Sequence, residues 1–219
     1  MKETRPPKPS PIAESHRSLL TRAKRFSSAT IVESCPQHLA LPFGIKPIVR
    51  SMKLCGPAVP VSSPPADNLW LHRAIYRARP GDVLVVHTSG FVEAGYWGEI
   101  MTRAAVEKSL GGLVIDGCVR DCEQLAKINF PVFSRGVCIR GTTKNALSPG
   151  SVNQTIRVGQ VIIAAGDLVV GDADGVAVVP WSSLAKTLDN ASAWQQQEKR
   201  ILRKLQRGAT TIQLLNLAE

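Results

Sequence analysis

Arg120 and Asp121 stand side by side in "GGLVIDGCVRDCEQL" (111–125), where an apolar run ends in a glycine-broken turn. Neighbouring residues in a turn point apart, so the pair offers two separate chemistries. Arg120 can clamp a carboxylate with its planar fork, and Asp121 can give a divalent cation a hard oxygen ligand. A plainer reading stands beside this one: Asp121 precedes an expected helix over 122–128 and suits its N-cap, with Arg120 as ion-pair partner. A second stretch, "YWGEIM" (96–101), opens a helix at Gly98–Glu99. The first amides of such a helix, including those of Ile100 and Met101, lack intrahelical partners and favour an anion. Glu99 alone also suits the first turn of any helix, where an acid is favourable. That role leaves the glycines at 90, 95 and 98 without a purpose.

The third candidate is Glu198. An apolar stripe runs Leu184, Leu188, Ala191, Trp194, Ile201 and Leu205, and Glu198 falls in its one gap. A carboxylate on a buried face must be paired, hydrogen-bonded or near a metal. If the stripe packs on a neighbouring subunit, Glu198 reaches that subunit's site; if the helix end has left the core, it pairs with a Lys or Arg. "GDADG" (171–175) lacks the further acids of a calcium loop and reads as a β-turn with Asx bonds. His87 ends an expected strand and reads as structural. Five cysteines, at 35, 55, 118, 122 and 138, show no framework or zinc-knuckle spacing. They suit reduced thiols in a cytoplasm.

The elements that must position these residues are legible in part. Helical character is expected over 16–34 and strands at a sheet edge or bulge over 48–61, where prolines interrupt the alternation. "DNLWLHRAIYRA" (67–78) reads as a helix with Asp67 as N-cap. A turn at 80–82, a strand at 83–87 and a Gly-rich loop over 88–98 follow. After them come a helix from 99 to about 110, a strand at 113–116 and the helix at 122–128. That order is a βαβ unit, so strands 83–87 and 113–116 should be parallel. Ligands in open α/β sheets collect beyond the carboxyl ends of the strands, which is where the glycine-rich loop and Arg120–Asp121 fall. The segment from 130 to 180 reads as β-rich, and 182–207 as a long helix ended by Gly208. The expected organisation is a flexible arm over 1–15, one α/β domain over 16–181, and a terminal helix in 182–219.

The net charge of +10 sits mostly on the tails: residues 1–25 carry seven Lys/Arg against two acids, and 186–219 six against three. The middle is nearly balanced, and no basic-aromatic interleaving of a stacking surface is present, which argues against specific nucleic-acid recognition. No apolar run approaches a membrane span, and the N-terminus has no secretory h-region.

The segments "GYWGEIM", "GGLVIDGCVRD", "FPVFSRGV" and "GDLVVGDADGVAVVP" together resemble the regulator-of-RNase-activity-A (RraA)-like family. That family includes 4-hydroxy-4-methyl-2-oxoglutarate and 4-carboxy-4-hydroxy-2-oxoadipate aldolases. The resemblance spans about residues 26–215 and centres on Glu99, twenty residues, then Arg120–Asp121; "WQQQEKR" matches the family's terminal-helix pattern at Glu198. It implies a swivelling β/β/α-type domain, trimers or paired trimers, and sites between subunits. It further implies that Asp121 ligates Mg²⁺ or Mn²⁺, with Glu99 and a neighbour's Glu198 acting through water. Arg120 would bind the 2-oxo acid, and the Ile100 and Met101 amides beyond Gly98 its carboxylate. The aldolases usually carry Asp where this chain has Glu99, and an acid where it has Gln124.

The expected activity is class II cleavage of a 4-hydroxy-2-oxo dicarboxylic acid to pyruvate plus a keto acid, with oxaloacetate decarboxylation alongside. Stabilising the enolate takes either a lysine Schiff base or a Lewis-acid metal. These candidates include carboxylates and an arginine but no lysine, which favours the metal. Two alternatives stay open: a non-catalytic interaction protein like the RNase regulators, and a metal-dependent lyase or hydrolase on another carboxylated substrate.

Overall fold

The computed structural model describes residues 11–37 and 39–218. Along the chain come α1 (Pro11–Ala23), α2 (Ser28–Ser34), β1 (Lys46–Pro47), β2 (Leu54–Ser62), α3 (Leu69–Arg77), β3 (Val83–His87), β4 (Gly95–Trp97) and α4 (Glu99–Glu107). Next are β5 (Gly112–Val119), α5 (Cys122–Ile128), β6 (Val132–Val137), β7 (Ser151–Val152), β8 (Ile156–Val158) and β9 (Val161–Ile163). The chain closes with β10 (Leu168–Asp172), β11 (Gly175–Val179), α6 (Leu184–Leu205) and α7 (Thr211–Leu215).

The main sheet runs β1-β6-β5-β3-β2-β10-β11, with β4 beside β5 and β7 beside β2. Strands β2, β3, β5 and β6 are mutually parallel and are joined through α3, α4 and α5, as the βαβ pattern requires. β3 and β5 are buried almost throughout, which accounts for their unbroken apolar runs. Leu71, Ala74 and Ile75 of α3, Met101 and Ala105 of α4 and Leu125 of α5 pack on one sheet face with Leu84, Val86, Leu113 and Ile115. The other face buries Val83, Val85, Val114 and Phe133 beneath the β8–β9 hairpin. A third cluster joins Ile31 of α2 and Leu184, Leu188 and Ala191 of α6 to β10 and β11. Among the described residues no helix is long and apolar enough to cross a membrane.

Four sequence expectations are corrected. β2 lies inside the sheet rather than at its edge, paired with β3 on one side and with β10, then β7, on the other. Its prolines fall where a ladder donor is not needed. Pro57 precedes the first β2–β3 pair, and Pro60 lies where the neighbour changes from β10 to β7. The N-cap of α3 is Asn68, and Asp67, one residue earlier, accepts from Leu69 N at 2.9 Å. The Gly-rich loop contains a strand, β4, and the segment expected as an arm is already helical from Pro11; residues 1–10 lie outside the described residues. "GDADG" is the β10–β11 turn, closed by Asp174 N donating to Asp172 Oδ1 at 3.1 Å.

Candidate active site

Strand β4 brings the two functional stretches together. It pairs in parallel with the end of β5, Gly95 opposite Cys118 and Trp97 opposite Val119, and Arg120 N donates to Trp97 O at 2.8 Å. The chain leaving β4 therefore starts α4 directly beside the Arg120–Asp121 turn. Gly98 has ordinary extended backbone; what requires glycine is space, since a Cβ there would collide with Asp121 Oδ2. Gly95 has a similar reason, a close approach to the Cys138 carbonyl. Two of the three glycines that Glu99 left without a purpose thus serve the contact between β4 and its neighbours.

Asp121 stands at the N-cap position of α5 but makes no side-chain bond to that helix. It adopts a left-handed conformation, φ 59° and ψ 38°, uncommon for a residue with a Cβ and concentrated at functional sites. That twist turns the carboxylate across to α4, where Oδ2 accepts from Glu99 N at 3.0 Å. Its own helix is held by the main chain instead, the Asp121 carbonyl accepting from Gln124 N and Leu125 N at 3.0 Å each. The plain capping reading is therefore excluded for the carboxylate. Among the described residues Oδ1 has no hydrogen-bond partner, and Arg120 Nε stands 4.0 Å from Oδ2. The amides of Ile100 and Met101, like any first-turn amides, have no helical acceptor. Met101 is buried and Ile100 is 80% exposed at the mouth.

The cleft over this turn is lined by Asn68, His72, Tyr96, Gly98, Ile100, Met101, Arg120, Asp121 and Lys144. Four of these, Asn68, His72, Tyr96 and Lys144, were not singled out from the sequence. Asn68 and His72 belong to the start of α3, and Lys144 to the irregular 138–150 segment. Lys144 overturns the expectation of a site without lysine. Asn68 is buried: Nδ2 donates to Tyr96 O at 2.9 Å, which fixes the amide's orientation, while Oδ1 is buried without a partner. Burial, and next the charge of Lys144, hold the His72 imidazole below its usual pKa.

The other sequence candidates divide. Glu99 starts α4 beside the Asp121 turn without lining the cleft, and its Oε1 accepts from Arg103 Nε and Nη2 at 2.9 and 2.7 Å, an i,i+4 ion pair. Glu198 is exposed on α6, which packs on α1, α2, β10 and β11; within one chain it does not line the cleft. Its apolar stripe is covered only as far as Ala191, and Trp194 is 36% exposed. His87 lies outside the cleft, its Nδ1 3.8 Å from Oδ2 of buried Asp116, which also pairs with Arg135.

Metal fit rests on the donor set. Among the described residues no three His, Cys, Asp or Glu side chains cluster to hold an ion. Asp121 alone offers a free carboxylate oxygen at the cleft. Among the described residues there is thus no zinc-type cage, and the donor set suits a hard, mostly hydrated cation with one protein ligand.

A family model described as RraA-like, Aldolase/RraA, matches residues 28–178. A Halalkalibacterium halodurans protein named "Putative 4-hydroxy-4-methyl-2-oxoglutarate aldolase" is 33% identical over 180 residues, 82% of this chain and 85% of that one. A crystal structure from Pseudomonas syringae pv. tomato, described as an uncharacterized protein, superposes with a TM-score of 0.78 at 29% identity, covering 90% of this chain and 96% of that one. Streptomyces coelicolor RraAS2, titled an unusual member of the RNase ES inhibitor RraA family, superposes with a TM-score of 0.75 at 26% identity, covering 85% and 98%. With the family model spanning most of its length and the fold in agreement, this chain belongs to the RraA-like (Aldolase/RraA) family.

Proposed function

We propose that the chain is a divalent-metal-dependent aldolase that cleaves a 4-hydroxy-2-oxo dicarboxylic acid, such as 4-hydroxy-4-methyl-2-oxoglutarate, into pyruvate and a second keto acid. The observation that carries this reading is Asp121: a strained backbone aims its carboxylate at the α4 N-terminus, one oxygen free, with Arg120 beside it. The name borne by the Halalkalibacterium relative supports the same reaction class. Asp121 would hold Mg²⁺ or Mn²⁺ directly, and Glu99 and Glu198 of a neighbouring subunit would hold it through water. When bound, the ion supplies Lewis-acid polarisation of the 2-oxo group.

The chain's own groups do the rest. The Ile100 and Met101 amides and the positive end of α4 bind the C1 carboxylate. The Arg120 guanidinium donates to the C2 oxygen, where negative charge develops as the C3–C4 bond breaks. The C4 hydroxyl proton leaves to a water held by Glu99 or by the neighbour's Glu198, so C4 becomes a carbonyl. Returning a proton to C3 releases pyruvate. Decarboxylation of oxaloacetate leaves the same enolate and is expected as a side activity.

The test is pyruvate release from a panel of 4-hydroxy-2-oxo acids and oxaloacetate, with Mg²⁺ and with EDTA. Turnover with Mg²⁺ that EDTA removes is expected; no pyruvate from any member would overturn the reading. A second reading, a non-catalytic regulator, is favoured by the likeness to RraAS2. On that reading ribonuclease inhibition would survive Asp121→Ala unchanged.

A further inference from the structure

At the end of the sheet opposite the Arg120–Asp121 turn lies a second and larger hollow, about 500 Å³ against about 120 Å³ for the cleft. Leu54 opens β2 there with Lys53 just before it, Gly81 and Gly111 lie ahead of β3 and β5, and Val170 and Gly171 end β10. Lys24 and Arg25, which follow α1, complete the rim. The α1 dipole favours cations at its carboxyl end, which accounts for Lys24 and Arg25. It does not account for Lys53, which reaches the same hollow from another element. Among the described residues none of these three side chains makes a hydrogen bond or ion pair. Asp172, the acid of the hollow, is committed elsewhere. Its Oδ1 accepts from Ser28 Oγ at 2.6 Å and Asp174 N at 3.1 Å, and its Oδ2 from Ser28 N at 2.8 Å. Burial pushes the Cys55 thiol up to about 11 against the opposing charge of Lys24. The thiol is therefore neutral near pH 7 and cancels none of the positive charge.

Three cations against one carboxylate leave the hollow with a net charge of +2. A phosphate monoester, with about −1.5 to −2 charges near pH 7 and three acceptor oxygens, matches that balance better than a single carboxylate. Arg25 offers the planar fork that phosphate accepts bidentately, and the two lysines act as point charges. The volume is more than bare phosphate fills and falls among small-molecule sites, roughly 300–1,000 Å³. Leu54, Cys55 and Val170 give it apolar walls for an organic body. A nucleic-acid strand needs an open track with stacking aromatics, and Phe26 is the one aromatic here. We propose that this hollow binds a phosphate monoester, its phosphoryl group held by Lys24, Arg25 and Lys53 and its organic body against Leu54, Cys55 and Val170. The hollow shares no lining residue with the cleft, so the proposal stands apart from the aldolase reading.

Titration calorimetry of the full chain at low salt in EDTA, with phenyl phosphate, inorganic phosphate and benzoate as probes, tests this. Phenyl phosphate should bind once per chain. It should bind at least about tenfold tighter than inorganic phosphate, which lacks the body, and than benzoate, which lacks the phosphoryl group. Arg25→Met and Lys53→Met should each weaken it by about 10- to 100-fold, the scale of one charge-assisted hydrogen bond. Both side chains are exposed, so the fold should tolerate their loss. Arg120→Met, which removes the cation of the cleft, should leave phenyl phosphate binding unchanged. Binding lost with Arg120→Met and kept with Arg25→Met and Lys53→Met would move the anion to the cleft and overturn the proposal. So would the lack of saturable binding, or equal affinity for the three probes. Displacement of phenyl phosphate by RNA oligonucleotides, with an affinity that rises with their length, would assign the cations to a nucleic-acid surface instead and equally overturn it.

Discussion

At the residue scale the account turns on how Asp121 is aimed. A left-handed backbone at a residue with a Cβ costs on the order of 1–3 kcal/mol, and the bond from Glu99 N helps to sustain it. Gly98 makes room for that bond. We expect Gly98→Ala to displace the Asp121 carboxylate and to lower turnover at least as much as loss of one catalytic donor, about 10²- to 10³-fold. The fold should survive, which circular dichroism beside the kinetics would check; a fully active Gly98→Ala would refute the aiming argument. The Arg120–Asp121 pair was legible in the sequence because a buried strand that runs through glycine into two opposite charges delivers them to the sheet's carboxyl end, where ligands collect. Lys144 and Asn68 were not. Lys144 lies in a segment without periodicity, and the start of α3 reads as an ordinary cap. Only the Asp67–Thr143 bridge, 76 residues apart in sequence, brings them to the cleft.

At the element scale the short strand β4 matters most. It was read as loop because three residues carry no alternation, yet it docks α4 against the β5 turn. The helices and long parallel strands were readable because burial on one face or both imposes a period or an apolar run. β2 was misplaced to an edge because prolines in a strand usually mean one; here the pairing partner changes at those points. Two carboxylates tie elements together and set an acid limit on stability. Asp67 fastens the Lys144 segment through bonds from Thr143 Oγ1 at 2.9 Å and Asn145 N at 2.6 Å. Asp172 accepts from Ser28 N and Oγ at 2.8 and 2.6 Å, holding the start of α2 to the β10–β11 hairpin. Burial pushes both carboxyls up. The Asn145, Leu69 and Thr143 bonds with the Lys144 charge bring Asp67 below its ordinary value, and the Ser28 and Asp174 bonds with the Lys53 charge do the same for Asp172. Both folded pKa values are depressed, so the stabilisation is complete above the ordinary carboxylate range and is lost as pH falls through the folded values. Urea unfolding followed from pH 7 into the acid range should show that loss. Asp172→Asn should be less stable at pH 7 and flatten the acid slope; an unchanged slope would contradict the role given to these bonds.

At the scale of the whole molecule the chain leaves much apolar surface uncovered. Phe43 and Leu147 are each 92% exposed and Ile139 89%, and α6 beyond Ala191, α7 and the residues after it expose Leu202, Ile212, Leu215 and Leu217. On our proposal part of this surface is where a neighbouring copy packs. The apolar stripe, interrupted once at Glu198, runs past the core because it serves two surfaces, its own core as far as Ala191 and, on our proposal, a neighbouring copy beyond. Mixed oligomers test that proposal. Inactive Glu198→Ala and Asp121→Ala chains, co-refolded in equal amounts, should regain activity in about a quarter of sites if each site takes Asp121 from one copy and Glu198 from the next. No recovery would place Glu198 outside the site. The claim beneath all of this is a divalent cation seated on Asp121 next to Arg120, and Mn²⁺ titration by electron paramagnetic resonance, with pyruvate present, measures it directly. The wild type should bind one Mn²⁺ per chain and Asp121→Asn should not; equal Mn²⁺ binding by the two proteins would contradict the account.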